Sequence, residues 1–153
     1  MLEKEIVNRD TLSVIVRKTK KINVSQIAES YRKICKEING YIDNLKMQGK
    51  TVAIWGASHQ GFTLASTAHL EEKISYIIDS APFKQGKYAP ASHIPIVSPA
   101  YAVNNPVDAI IIMAPGYTEE IASIIYEKFG KNIEIAVMMA KDLQMYEDIK
   151  KCQ

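Results

Sequence analysis

Three observations predict an α/β domain built on a small, mostly parallel sheet. From residue 51 onward, short apolar runs rich in β-branched residues alternate with segments of helical periodicity, the pattern of βαβ units. The first of those runs ends in a glycine turn, Gly56-Ala-Ser-His-Gln-Gly61, that opens directly into a helical segment. The run from Val107 to Met113 is apolar enough for a strand buried on both faces, as central parallel strands are. Together these describe a Rossmann-like sheet flanked by helices and preceded by a strand and a long N-terminal helix.

The elements follow in order. Thr11 to Arg17 is short and β-branched, which suits an edge or outlying strand. Asn23 or Ser25 is placed to cap a helix in which Ile27, Tyr31, Ile34, Ile38, Tyr41, Ile42 and Leu45 recur at threes and fours, an amphipathic stripe. Gly40 weakens its middle and Gly49 stops it. Strands are expected at Thr51 to Trp55, Ile74 to Ile78, Val107 to Met113 and Ile133 to Met138, with a shorter extended piece at Ile94 to Val97. Helices are expected at His59 to His69, Ser98 to Val103, Thr118 to Phe129 and Lys141 to Lys151; Pro99 suits a first helical position. Residues 1–22 read as an N-terminal strand segment and 23–153 as the Rossmann-like domain.

Composition narrows the function classes. A chain of 153 residues, 47% apolar, has the size of one domain and enough apolar mass to bury a core without staples. The net charge of +2 is scattered, so neither a nucleic-acid stripe nor a polybasic membrane patch is expected. Lys18, Lys20 and Lys21 form the tightest basic group and read as a solvated turn. Cys35 and Cys152 lie outside any Cys-x-x-Cys pair, so no zinc site is expected and a reducing compartment is. No run approaches the length of a spanning helix and no secretory signal is visible; the expected location is the cytoplasm.

The chemistry concentrates at two places. The turn from Gly56 to Gly61 has the first and third glycines of a dinucleotide fingerprint, with Ser58 in the place of the middle one. A strand turning into a helix presents free N–H groups that attract phosphate, so Gly56, Ala57, Ser58, His59, Gln60, Gly61 and Thr63 are candidate ligand contacts. The second place is the loop from Ala81 to Pro95, which leaves the strand ending at Asp79. Asp79 stands where a dinucleotide-binding protein puts the acid that holds ribose, and is equally suited to capping its own loop. Lys84, Gln85, Gly86, Tyr88 and His93 offer cations, an amide, a phenol and an imidazole to a polyanionic or sugar-like ligand. Trp55 either packs in the sheet or offers an edge to a base. A Gly-x-Ser-x-Gly elbow and a Walker lysine are both missing, which argues against hydrolase and ATPase chemistry.

Three stretches, Trp55-Gly-Ala-Ser-His-Gln-Gly-Phe-Thr-Leu64, Asp79-Ser-Ala-Pro-Phe-Lys-Gln-Gly86 and His93-Ile-Pro-Ile-Val-Ser-Pro99, resemble the C-terminal domain of the sugar C-methyltransferases, which act on nucleotide-linked deoxysugars. The resemblance covers roughly residues 11 to 140. It implies a three-part enzyme: a zinc module, a core that binds S-adenosylmethionine, and a Rossmann-like tail beside the sugar-nucleotide site. Thr11 to Lys20 resembles the last strand of the core, and nothing here matches the methyl-donor site or the principal catalytic residues. The family has a lysine where Gln60 stands and a glycine where Ala91 stands.

These observations favour a binding module for a sugar nucleotide, with no cofactor of its own, that assists a separate methyltransferase chain or another sugar-modifying enzyme. Two other readings stay open at this point. One is a small NAD(P)-dependent oxidoreductase using the same turn and Asp79. The other is an interaction domain in which the long helix packs against a partner, including a second copy.

Overall fold

The computed structural model describes residues 24–151 and, before them, the strand backbones of residues 3–7 and 11–15. Those two strands, β1 (Glu3–Val7) and β2 (Thr11–Ile15), form a separate antiparallel pair in which Glu3 faces Ile15 and Val7 faces Thr11. Of the strand expected from Thr11 to Arg17, Thr11–Ile15 is present and Val16 and Arg17 lie outside the described residues; β1 is an addition to it. Asn23, the lysine cluster from Lys18 to Lys21 and Cys152 fall outside the described residues.

The main sheet has six strands: β3 (Val52–Trp55), β4 (Ile77–Ile78), β5 (Ile96–Val97), β6 (Ala109–Ile112), β7 (Glu134–Met138) and β8 (Leu143–Met145), in the spatial order β5-β4-β3-β6-β7-β8. All pairings are parallel except that of β7 with β8. Strand order therefore reverses between β3 and β6, and in open α/β sheets the crevice at that reversal, beyond the carboxyl ends, is where ligands bind.

Side chains alternate across this sheet with the period of two that a pleat imposes. Val52, Ile54, Ile77, Ile111 and Met138 enter one core with Ile38, Ile42 and Leu45 of α1 (Ser25–Met47) and Leu64 of α2 (His59–Thr67). Ala53, Trp55, Ile78, Ile110 and Val137 enter the other with Ala102 of α3 (Pro99–Asn104), Ile121 and Ile125 of α4 (Thr118–Phe129), and Tyr146 of α5 (Tyr146–Lys151). The central strands bury both faces, which explains why their sequences carry apolar side chains on both. Each fully buried isoleucine contributes about 1.5–3 kcal/mol.

Helix α1 is only partly covered by its own sheet. Its carboxyl half packs against the first core and is tied down by the Tyr41 hydroxyl, which donates to Glu134 Oε1 at 2.9 Å. Burial, reinforced by that bond and the glutamate charge, raises the Tyr41 pKa well above the usual phenol value. At the amino end Val24 and Ile27 remain 59% and 68% exposed. Val24 occupies the cap position, without a side-chain capping bond of its own, and Ser25 is the first helical residue. A further correction concerns residues 141–151. The helix expected from Lys141 starts only at Tyr146, because Leu143–Met145 pairs with Ala136–Met138 as an edge strand. Among the described residues no helix is long and apolar enough to cross a membrane.

Candidate functional site

The glycine turn lies where β3 ends, beside the strand-order reversal. Gly56 has φ +115°, a backbone state that glycine adopts without the steric penalty of a Cβ, and its N–H donates to Ile78 O at 2.9 Å. Gly61 answers a different need, close approach: a Cβ there would lie 2.8 Å from the Gly56 carbonyl oxygen. The first and third glycines of the fingerprint therefore do the work their positions imply. Ser58, in the middle place, turns its hydroxyl back to accept from Gly61 N at 3.1 Å and so caps α2.

That cap and two other bonds, one of them from Gly56 N, account for only part of the turn's donors. Ala57 N donates to Asp79 Oδ2 at 2.9 Å. The N–H groups of Ser58, His59 and Gln60 have no partner among the described residues. They are the orphan donors that every helix start leaves, here on a helix whose end carries partial positive charge. His59 and Gln60 are exposed, so this end of α2 is open.

Asp79 has another occupation. Its carboxylate, 8% exposed as a residue, accepts from Ala57 N and Ala81 N, each at 2.9 Å, and from Lys84 Nζ at 3.0 Å. Lys84 Nζ also donates to Ala57 O at 2.9 Å, and Gln85 Nε2 donates to Asp79 O at 3.0 Å. An ionised carboxylate accepts about four hydrogen bonds, and three are used within the chain. The stretch from Asp79 to Gly86 is thus a clasp that fastens the long loop onto the glycine turn. The one site left is too few for both hydroxyls of a ribose diol, so the dinucleotide manner of holding ribose would need one of these bonds to break.

The remaining candidates are distributed around the turn. His59, Gln60 and Thr63 line a cavity of about 320 Å³ with Tyr31, Ile34 and Met138 on the α1 side of the sheet. Gly56 and Asp79 line one of about 410 Å³ on the opposite side, with Trp55 and Tyr117. Gln85, Gly86 and Tyr88 line a third, about 370 Å³, with Tyr101 at the outer edge near β5. His93 lines none of these; it is exposed at φ +53°, with its N–H on Ala89 O at 3.0 Å. The turn and the Asp79–Lys84 end of the clasp are therefore brought together, whereas Tyr88 shares the outer cavity with Gln85 and Gly86 and His93 stands apart.

Tyr117, Ile121, Ile124 and Lys128, also in the wall of the 410 Å³ cavity, were not singled out as ligand contacts in the sequence. A signal existed: Pro115-Gly-Tyr117 immediately follows the strand across the reversal from β3, and loops there face the crevice. Trp55 is 6% exposed and packed in the second core, yet it reaches this cavity as well.

A mostly parallel sheet with this strand order and a glycine turn at its reversal defines a Rossmann-like domain. Residues 16–138 match the family described as C-methyltransferase C-terminal domain, and the chain belongs to that family. It is 32% identical over 97 residues to the C-methyltransferase NovU of Streptomyces niveus, an overlap of 63% of this chain and 23% of that protein. The chain thus spans less than a quarter of that relative's length. UDP-D-quinovosamine 4-dehydrogenase from Vibrio fischeri, a solved structure, is 19% identical, with a TM-score of 0.47 over 67% of this chain and 84% of that one.

Proposed function

We propose that the domain holds a nucleotide-linked sugar, its diphosphate on the N–H groups of Ser58, His59 and Gln60, beside a methyltransferase core that acts on the sugar. The observation that carries this reading is the open first turn of α2, set at the sheet's strand-order reversal with three donors unspent. Membership of a C-methyltransferase C-terminal domain family and the likeness to a protein named as a C-methyltransferase support this reading. Methyl transfer itself needs a donor site, which this reading assigns to a core carrying S-adenosylmethionine, in another domain or another chain.

The state of Asp79 weighs against the oxidoreductase alternative, since its carboxylate is bonded to Ala57, Ala81 and Lys84. For the interaction reading, burial of Ile38, Ile42 and Leu45 leaves only the amino half of α1 available.

Thermal-shift titration with nucleotide-linked deoxysugars tests the proposal. A ligand at about ten times its dissociation constant stabilises the native state by about 1.4 kcal/mol, or roughly 3–5 °C for a domain of this size. NADH, whose ribose finds Asp79 already bonded, should give a smaller shift at the same concentration. Absence of any shift with millimolar nucleotide-sugar would overturn the reading.

A further inference from the structure

We infer that the 410 Å³ cavity on the α3–α4 side of the sheet is a slot for the nucleotide's planar base, held by shape and stacking instead of by an acid on the ribose. This rests on the diphosphate reading above and extends it to a part of the ligand that the turn does not touch.

The cavity's size falls within the roughly 300–1,000 Å³ of ligand sites. Its walls are of the right kind. Trp55 is fixed by its packing in the second core, and Ile121, 9% exposed, packs there too. Ile124 adds half-buried apolar surface from the same helix. Tyr117 is different: its ring is 65% exposed, on the connection that leaves β6 at the crevice. Aromatic rings of this sort stack on bases of any identity. Glu120 and Lys128 add an exposed acceptor and an exposed donor.

Continuity with the phosphate turn is the second support. Gly56 and Asp79 are in the cavity wall, so a base here would be joined to a diphosphate at the start of α2 by one ribose. The clasp explains why recognition differs from that of a dinucleotide: with Asp79 occupied by Lys84 and two backbone amides, the added affinity comes from the base and not from the ribose.

Trp55 is the chain's single tryptophan, so its emission reports on this cavity. The full chain is titrated with UDP, ADP and inorganic pyrophosphate while emission and a separate binding signal from calorimetry are followed. The tighter of the two nucleotides should bind about tenfold or more tightly than pyrophosphate and change Trp55 emission saturably; pyrophosphate should bind without changing it. Tyr117→Ala, at an exposed position, should reduce the nucleotide's advantage and leave pyrophosphate binding unaltered; Ile124→Arg should abolish that advantage by filling the slot. Equal binding of all three probes with silent Trp55 emission would overturn the base slot and leave the diphosphate reading standing. So would an advantage that survives both substitutions. No binding by any probe would overturn both.

Discussion

Two neighbouring connections leave the carboxyl ends of adjacent strands, and they use their polar groups in opposite ways. The short one after β3 keeps the N–H groups of Ser58, His59 and Gln60 unpaired and open. The long one after β4 turns Asp79, Lys84 and Gln85 inward, onto one another and onto Ala57. Both stretches carry residues suited to a nucleotide in the sequence, but the capacity to bind depends on donors and acceptors left over once the chain has satisfied itself. The loop supplies rigidity to the turn, and the turn supplies the open donors.

Breaking the clasp should have the largest effect. Asp79→Ala leaves two amides and the Lys84 ammonium without their shared acceptor, at a cost of about 3 kcal/mol, measurable by urea denaturation. Lys84→Met should cost less, since the carboxylate keeps both amide bonds. Equal and small effects would mean that the clasp is incidental.

Next comes the close approach inside the turn. Gly61→Ala sets a Cβ against the Gly56 carbonyl, and the backbone must move, at about 2 kcal/mol. The same substitution at Gly40, in α1 with nothing within 4 Å, should instead stabilise by about 0.5–1 kcal/mol. Matched denaturation curves of the two variants separate a steric requirement from ordinary helix propensity.

The long loop has a strained point of its own. Ala91 sits at φ +64°, a left-handed state that costs a residue with a Cβ about 1–2 kcal/mol. Ala91→Gly should therefore raise stability, by about 0.5–1 kcal/mol after the unfolded state's added entropy is counted. A melting temperature that falls would contradict this. The smallest effect belongs to Gln60→Lys, which adds an exposed cation at the open turn and should tighten a nucleotide-sugar about threefold at low salt, less at high salt.

How much of this was legible depended on which interaction decides each feature. Burial decides the strands, so the β-branched run around Ala109–Ile112 and the short apolar run Val52–Trp55 announced themselves. The segment from Ile74 contracts to a two-residue strand, yet Ser75 N and Tyr76 O still bond to β3. Partner choice decides Leu143–Met145, whose pairing with β7 overrode a helical pattern. Glu3–Val7 gave little sign of a strand because two of its first three residues are glutamates. The turn's glycines were readable because glycine is required there; the inward aim of Asp79 and Lys84 was not, since composition says nothing about which way a polar side chain points. Ala91 is the converse case: its positive φ suits a glycine, and the alanine there gave no sign of it.

The most direct test of the account is an amide-resolved NMR titration with a nucleotide-linked deoxysugar. The N–H signals of Ser58, His59 and Gln60 should move together and saturate, with much smaller changes at Ala57 and Ala81, whose donors are already held by Asp79. Shifts confined to the loop from Ala81 to Pro95, with the three turn amides unmoved, would contradict it.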